Sequence, residues 1–177
     1  MYVERALFVV APQDSGKSTQ LRSLFLDRRF GTDGQIPPSS QQRNLTETYC
    51  IGNNRQLFLR LTSPHEYGDT PQQFHQKIRR KTGDGRWCIS GAFQPDAFKF
   101  MPDVVESVRL FQEEFVPERI RVIFLSPTRH GLSFADYSGG RDLVSELQAI
   151  SRVEVAFIDA RNREANGLLI ADFFDFS

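Results

Sequence analysis

The stretch Ala11-Pro12-Gln13-Asp14-Ser15-Gly16-Lys17-Ser18-Thr19 lies between two strongly patterned segments. Before it, residues 6–10 (Ala-Leu-Phe-Val-Val) are all apolar, which predicts a buried parallel strand. After it, Leu21, Leu24 and Phe25 have the spacing of one buried helix face. A strand, a loop and a helix in this order would direct backbone N–H groups and the positive end of the helix dipole at one point. The stretch therefore predicts an anion-binding loop.

The pattern of this loop, which we call the Gly-Lys-Ser loop (residues 11–19), predicts a nucleotide ligand. It fits G-x-x-x-x-G-K-[S/T], with Ala11 in place of the first glycine. Lys17 is the predicted catalytic residue: we expect it to be exposed to the β- and γ-phosphates rather than packed. The Ser18 hydroxyl is the predicted ligand of Mg²⁺, and the predicted nucleotide is ATP or GTP. The residues predicted to bind it are Gln13, Asp14, Ser15, Gly16, Lys17, Ser18 and Thr19.

These nine residues resemble the Walker A motif of the P-loop NTPase superfamily, and their position between a strand and a helix supports the match. The resemblance implies a three-layer α/β P-loop NTPase fold that binds a nucleoside triphosphate with Mg²⁺. The alternative is a chance match on a strand–turn–helix segment that binds nothing.

The composition is that of one globular domain. Of the 177 residues, 40% are apolar and 25% are charged, and the formal net charge is zero. We predict a single nucleotide-binding domain over residues 1–177. Zero net charge gives no general attraction to nucleic acid or to an acidic membrane, and no apolar run is long enough to span a membrane. Cys50 and Cys88 are expected to be reduced thiols in a cytoplasmic protein.

Apolar patterns along the chain predict strands that alternate with helices. After the first strand, the predicted strands cover residues 45–52, 56–62, 87–90, 121–125 and 153–158. The predicted helices cover about 17–29, 70–81, 103–115, 143–150 and a C-terminal segment around 168–173. Thr70-Pro71-Gln72-Gln73 predicts a helix start with a capping box, and Asn53-Asn54 predicts a tight hairpin. We therefore predict a six-stranded, mostly parallel sheet in which the second and third strands are antiparallel, with helices on both faces.

The order of these elements is similar to that of small Ras-like GTPases, but two motifs of that family are missing. Where the family has Asp-x-x-Gly after the third strand, this chain has Thr62-Ser63-Pro64-His65-Glu66. Glu66 and Asp69 are the nearest candidate carboxylates. Where the family reads guanine with Asn-Lys-x-Asp, this chain has Ser126-Pro127-Thr128-Arg129. We therefore predict that ATP binds at least as well as GTP.

Residues 31–44 contain almost no apolar side chain. We predict a mobile surface loop that orders like a switch when nucleotide binds. The resemblance implies that Thr46 or Thr48 approaches the metal and that Arg43 neutralises phosphate charge. The alternative is that both threonines are ordinary strand residues.

The basic run Lys77, Arg79, Arg80 and Lys81 has three interpretations. It is a substrate lid, a patch for an acidic partner, or the solvated C-terminal face of a helix, where positive charge is favoured by the helix dipole.

Three functions remain open from the sequence. The leading hypothesis is a cytoplasmic protein that binds Mg²⁺–nucleoside triphosphate and hydrolyses it slowly. The second is a nucleotide or small-molecule kinase that uses residues 31–45 as a substrate lid. Residues 16–20 (Gly-Lys-Ser-Thr-Gln) also resemble thymidylate kinase, although the Asp-Arg-aromatic motif of that family is missing after a later strand. The third is a non-catalytic module in which bound nucleotide changes a surface for a protein partner.

Overall fold

A computed structural model describes residues 1–30, 32–36, 48–52 and 54–174, without the side chains of residues 163 and 164. Six strands of the described chain form one sheet in the order β2-β3-β4-β1-β5-β6. They are β1 (Tyr2–Val10), β2 (Thr48–Cys50), β3 (Arg55–Arg60), β4 (Arg86–Phe93), β5 (Arg119–Leu125) and β6 (Val153–Ile158). The β2–β3 pair is antiparallel and the other four pairs are parallel, as the sequence predicts.

Helices cover both faces of this sheet. The α-helices are α1 (Lys17–Arg22), α2 (Pro64–Tyr67), α3 (Pro71–Lys81), α4 (Val104–Phe115), α5 (Phe134–Tyr137), α6 (Leu143–Gln148) and α7 (Arg163–Asp172). Two short 3₁₀ helices, Ser23–Leu26 and Arg28–Phe30, follow α1. Alternate residues of β1 belong to different hydrophobic clusters. One cluster includes residues of α1 and α7, and the other includes residues of α3, α4 and α6.

Several local predictions are confirmed. The Thr70 hydroxyl accepts a hydrogen bond from the Gln73 N–H, and the Gln73 side chain accepts one from the Thr70 N–H, which completes the capping box of α3. Asp103 caps α4 through a single bond, which its carboxylate accepts from the Glu106 N–H. β2 and β3 pair in the antiparallel direction with Thr48 opposite Phe58, while Asn53 of the predicted tight turn lies outside the described residues.

The first helix is shorter than predicted. The α-helix ends at Arg22 rather than near residue 29, and the chain continues as 3₁₀ turns. The Ser23 hydroxyl donates to the Gln20 carbonyl at 2.5 Å, a local bond that competes with regular helix hydrogen bonding. Leu24 and Phe25 are nevertheless fully buried, so the predicted apolar face is retained by a different backbone.

The order of the strands in space was not apparent from the sequence. β4 lies between β3 and β1, so β1 is flanked by β4 and β5. Val10, the last residue of β1, pairs with Phe93 on one side and with Phe124 on the other. The carboxyl ends of β4 and β5 therefore lie directly beside Val10, where the Gly-Lys-Ser loop begins.

Candidate functional site

The Gly-Lys-Ser loop leaves the sheet where the connections diverge. Within the sheet, β2, β3 and β4 lie on one side of β1, and β5 and β6 lie on the other. In open α/β sheets such a switch point leaves a crevice at the carboxyl ends of the strands, and ligands bind there. The Gly-Lys-Ser loop thus lies at the switch point of the sheet.

The backbone of the loop depends on two residues in the left-handed region. Asp14 has φ 58° and Gly16 has φ 101°, a conformation that glycine adopts without cost. The segment after β5 closes over them: the Arg129 N–H donates to the Ser15 carbonyl at 3.2 Å, and the His130 ring lies 3.2 Å from the Asp14 carbonyl. The loop is therefore held by the segment after β5 as well as by its own turn.

Lys17 is buried, and the expectation of an exposed lysine was wrong. Its side chain is 4% exposed, and its ammonium donates to the carbonyls of Ala11 at 3.0 Å and Pro12 at 2.6 Å. The Glu66 carboxylate lies 3.3 Å from the same ammonium. Burial lowers the pKa of Lys17, and the charge of Glu66 opposes that shift. The ammonium is folded back along the loop because these three oxygens accept its three N–H groups.

Ser18, the predicted metal ligand, is the most accessible of the polar residues at the start of α1. Its side chain is exposed, and its hydroxyl donates to the Leu61 carbonyl at 2.9 Å. Gln20 on the same helix is fully buried and donates to the Ala160 carbonyl at 2.7 Å. The hydroxyl of Ser18 can therefore turn to a ligand without breaking the buried contact that anchors α1.

Glu66 is positioned by the four-residue helix α2. This helix begins with Pro64 at its first position and ends at Gly68, which has φ 84°. The Lys99 ammonium donates to the Glu66 carbonyl at 2.8 Å. The Glu66 side chain is 29% exposed, so its carboxylate both contacts Lys17 and remains open to the crevice.

His65, beside Glu66, is buried and neutral. Its Nε2–H donates to the Pro102 carbonyl at 2.8 Å, and its Nδ1 accepts from the Ser63 hydroxyl at 3.3 Å. Burial lowers the pKa of His65 to about 4, and the charge of Lys17 acts in the same direction. This histidine therefore supports α2 and is not a metal ligand.

Gln94 is a site residue that the sequence did not reveal. It follows Phe93, whose carbonyl accepts a hydrogen bond from the Ala11 N–H at 3.4 Å. Its side chain is 8% exposed, and its amide nitrogen is buried without a hydrogen-bond partner in the described chain. A buried amide that is not satisfied costs free energy, which indicates a partner that arrives with a ligand or with water.

Two other carboxylates have basic partners of their own. Asp69 accepts hydrogen bonds from Arg60 at 2.6 Å and from Lys77 at 2.5 Å. Asp96 is exposed in the segment after β4, and Arg161 holds Asp159 at 2.7 Å. No group of three or more His, Cys, Asp or Glu side chains within the described ranges could hold a metal ion. Glu66 is thus the carboxylate that accompanies Lys17.

The predicted switch loop lies mostly outside the described residues, and so do Arg43 and Thr46. Thr48 is described: it is an exposed residue of the edge strand β2, paired with Phe58. Mobility and closure of residues 31–44 stay predictions.

In the described part of the chain, no helix has the length and apolar character needed to cross a membrane.

Comparisons with known proteins add no relative. No family model matches the sequence, and neither the curated proteins nor the solved structures give a match.

Proposed function

We propose that the protein binds a nucleoside triphosphate at the Gly-Lys-Ser loop. The observation that supports this most is the Glu66 carboxylate 3.3 Å from the Lys17 ammonium, at the switch point of the sheet. An anionic side chain thus lies against this lysine. A phosphate would take the place of that carboxylate, with more negative charge and more acceptor oxygens.

The oxygen donors present fit Mg²⁺ delivered with the nucleotide. Magnesium in nucleotide sites takes one or two carboxylates, a hydroxyl and phosphate oxygens, and keeps several waters. Ser18 would supply the hydroxyl. Glu66, once released from Lys17, would supply the carboxylate. When bound, the ion would neutralise charge on the phosphates.

Transfer of the γ-phosphoryl group to an acceptor is the second candidate, and the exposure of Glu66 favours it. A carboxylate beside the phosphate lysine and open to the crevice can accept the proton of an attacking hydroxyl group. The acceptor oxygen would bond to the γ-phosphorus, the bond to the β-phosphate oxygen would break, and the nucleoside diphosphate would leave. With water as the acceptor, the same step is slow hydrolysis.

These possibilities are separated by incubating the protein with γ-labelled ATP and Mg²⁺, with and without a panel of hydroxyl-bearing acceptors. Label in inorganic phosphate alone supports hydrolysis, and label on an acceptor supports transfer. Retention of intact bound ATP supports a non-catalytic module. Failure of ATP to bind at all refutes the proposal. Ser18→Ala is the matched variant: it should weaken binding mainly when Mg²⁺ is present, and equal loss without metal would remove Ser18 from the metal site.

A further inference from the structure

Three large aromatic side chains are exposed on α2 and on the turn of residues 98–101, which Lys99 joins to α2. Tyr67 is 68% exposed, Phe98 44% and Phe100 70%, and we call this set the aromatic surface. Tyr67 follows Glu66, which contacts Lys17, so the surface begins at the candidate nucleotide site. Exposed aromatic rings in a group indicate a ligand or partner, whereas scattered apolar residues do not.

The turn that carries the two phenylalanines is fixed rather than loose. Phe98 and Met101 exchange two backbone hydrogen bonds, at 3.0 and 3.2 Å. Lys99 between them has φ 55°, a left-handed conformation that residues with a side chain seldom adopt. Its ammonium donates to the Glu66 carbonyl at 2.8 Å, which ties the turn to α2. Such local strain is typical of functional positions.

Two basic side chains, Lys77 and Arg80, lie on the cleft next to Tyr67. The Lys77 ammonium lies 4.1 Å from the centre of the Tyr67 ring. Next to this ring is a cleft of about 380 Å³, and Lys77 and Arg80 are on its wall. Arg80 is exposed and has no ion pair or hydrogen bond with any part of the chain that the structure describes. The one acid of the cleft, Asp69, is buried and is neutralised by Arg60 and Lys77.

We propose that the aromatic surface and the adjacent cleft bind single-stranded nucleic acid. Bases stack on aromatic rings whatever their sequence, and the phosphates between them pair with Lys and Arg side chains. A protein partner fits less well, because the wall of the cleft is made mostly of amide and charged side chains. The wall consists of Tyr67, Gly68, Asp69, Gln73, Gln76, Lys77 and Arg80. Asp96 is the one acid that residues 94–101 bring to the surface.

The test is fluorescence anisotropy of a labelled oligothymidylate of about twelve nucleotides, titrated with the full chain and without any nucleoside triphosphate. The result of this test therefore does not depend on whether the protein binds a nucleoside triphosphate. Tyr67→Ala and Phe100→Ala should each weaken binding about tenfold, within the range that stacking of one base contributes. Lys99→Gln and Arg80→Gln should weaken binding less and reduce its salt dependence.

The matched control is Phe157→Ala, which removes an exposed ring (47%) from the edge strand β6. It should bind the oligonucleotide like the wild type. No anisotropy change at up to about 100 μM protein would overturn the proposal. So would equal loss in Phe157→Ala, or unchanged affinity in both aromatic variants when circular dichroism shows that they are folded. Preferential capture of an acidic peptide by the same surface would assign it to a protein partner instead.

Discussion

At the scale of single residues, the Glu66 carboxylate competes with the proposed phosphate for the Lys17 ammonium. Their carboxylate and ammonium are 3.3 Å apart, and a phosphate must replace the carboxylate. We expect Glu66→Gln to bind metal-free ATP several-fold more tightly, because a negative competitor is removed. The same variant should lose most of any phosphoryl transfer, since it lacks the proposed base and metal ligand.

Calorimetry without Mg²⁺ measures the first effect, and transfer of labelled phosphate measures the second. Glu114→Gln is the control, because that carboxylate pairs with Arg79 on the helical surface. Weaker metal-free binding by Glu66→Gln would mean that Glu66 supports the phosphate site rather than competing for it.

His65 makes stability depend on pH. Its pKa is lowered to about 4 in the folded protein by burial, against an ordinary value near 6.5. The unfolded chain therefore binds a proton that the folded chain does not, and stability is complete above pH 6.5 and falls as the pH decreases toward 4. A difference of this size corresponds to at most about 3 kcal/mol.

The effect is measured as the change in urea midpoint between pH 7 and pH 5, compared with His65→Gln. Glutamine keeps a donor and an acceptor but does not titrate, so the decrease should be smaller in the variant. Equal decreases in both proteins would assign the pH dependence to other groups, including His75, whose pKa burial also lowers.

At the scale of elements, α7 packs against the 3₁₀ turn after α1 through Gly167. A Cβ atom added at this position would lie 2.2 Å from the Ser23 carbonyl oxygen. The contact is with backbone, which cannot move aside as a flexible side chain can. We expect Gly167→Ala to cost about 3 kcal/mol of unfolding free energy.

Gly83→Ala is the matched control, since an added Cβ there has no atom within 4 Å. Chemical denaturation of both variants measures the difference. A Gly167→Ala protein as stable as the control would show that the helix is less closely packed than the structure indicates.

Elements of this protein follow from the sequence where the determining interactions are local. The capping box of Thr70 and Gln73 and the alternating faces of β1 are examples. The end of α1 was not predicted: the Ser23 hydroxyl bonds to the Gln20 carbonyl there, and Gly167 of α7, far along the chain, packs against the Ser23 backbone. Tertiary contacts override local helix propensity at such positions.

At the scale of the whole molecule, the site depends on strand order, which the sequence does not encode locally. Insertion of β4 between β3 and β1 places Gln94 beside the Gly-Lys-Ser loop. Glu66 was a candidate from its position in the chain, but its contact with Lys17 requires the fold of α2. The lysine itself was predicted, whereas its burial was not, because the Glu66 carboxylate that lies against its ammonium is brought there by the fold.

The preference between ATP and GTP is also set at the scale of the whole molecule. Two acids close to residues 126–129, where the Ras-like family reads guanine, are Asp136 and Asp159, and they are bonded to Ser133 and Arg161. A guanine-reading carboxylate must be free to accept two hydrogen bonds, so we still expect ATP to bind at least as well as GTP. Competition between the two nucleotides for the wild-type protein measures this. Preference for GTP by more than about tenfold, roughly 1.4 kcal/mol, would mean that another residue reads guanine.

The most direct test of the nucleotide site is calorimetric titration of ATP and Mg²⁺ into the wild type, Lys17→Met and Lys81→Met. Methionine keeps the buried stem of Lys17 and removes the charge, and Lys81 is an exposed lysine at the end of α3. We predict that the wild type and Lys81→Met bind ATP alike, and that folded Lys17→Met shows no binding. Equal affinity of all three proteins for ATP would contradict the nucleotide site.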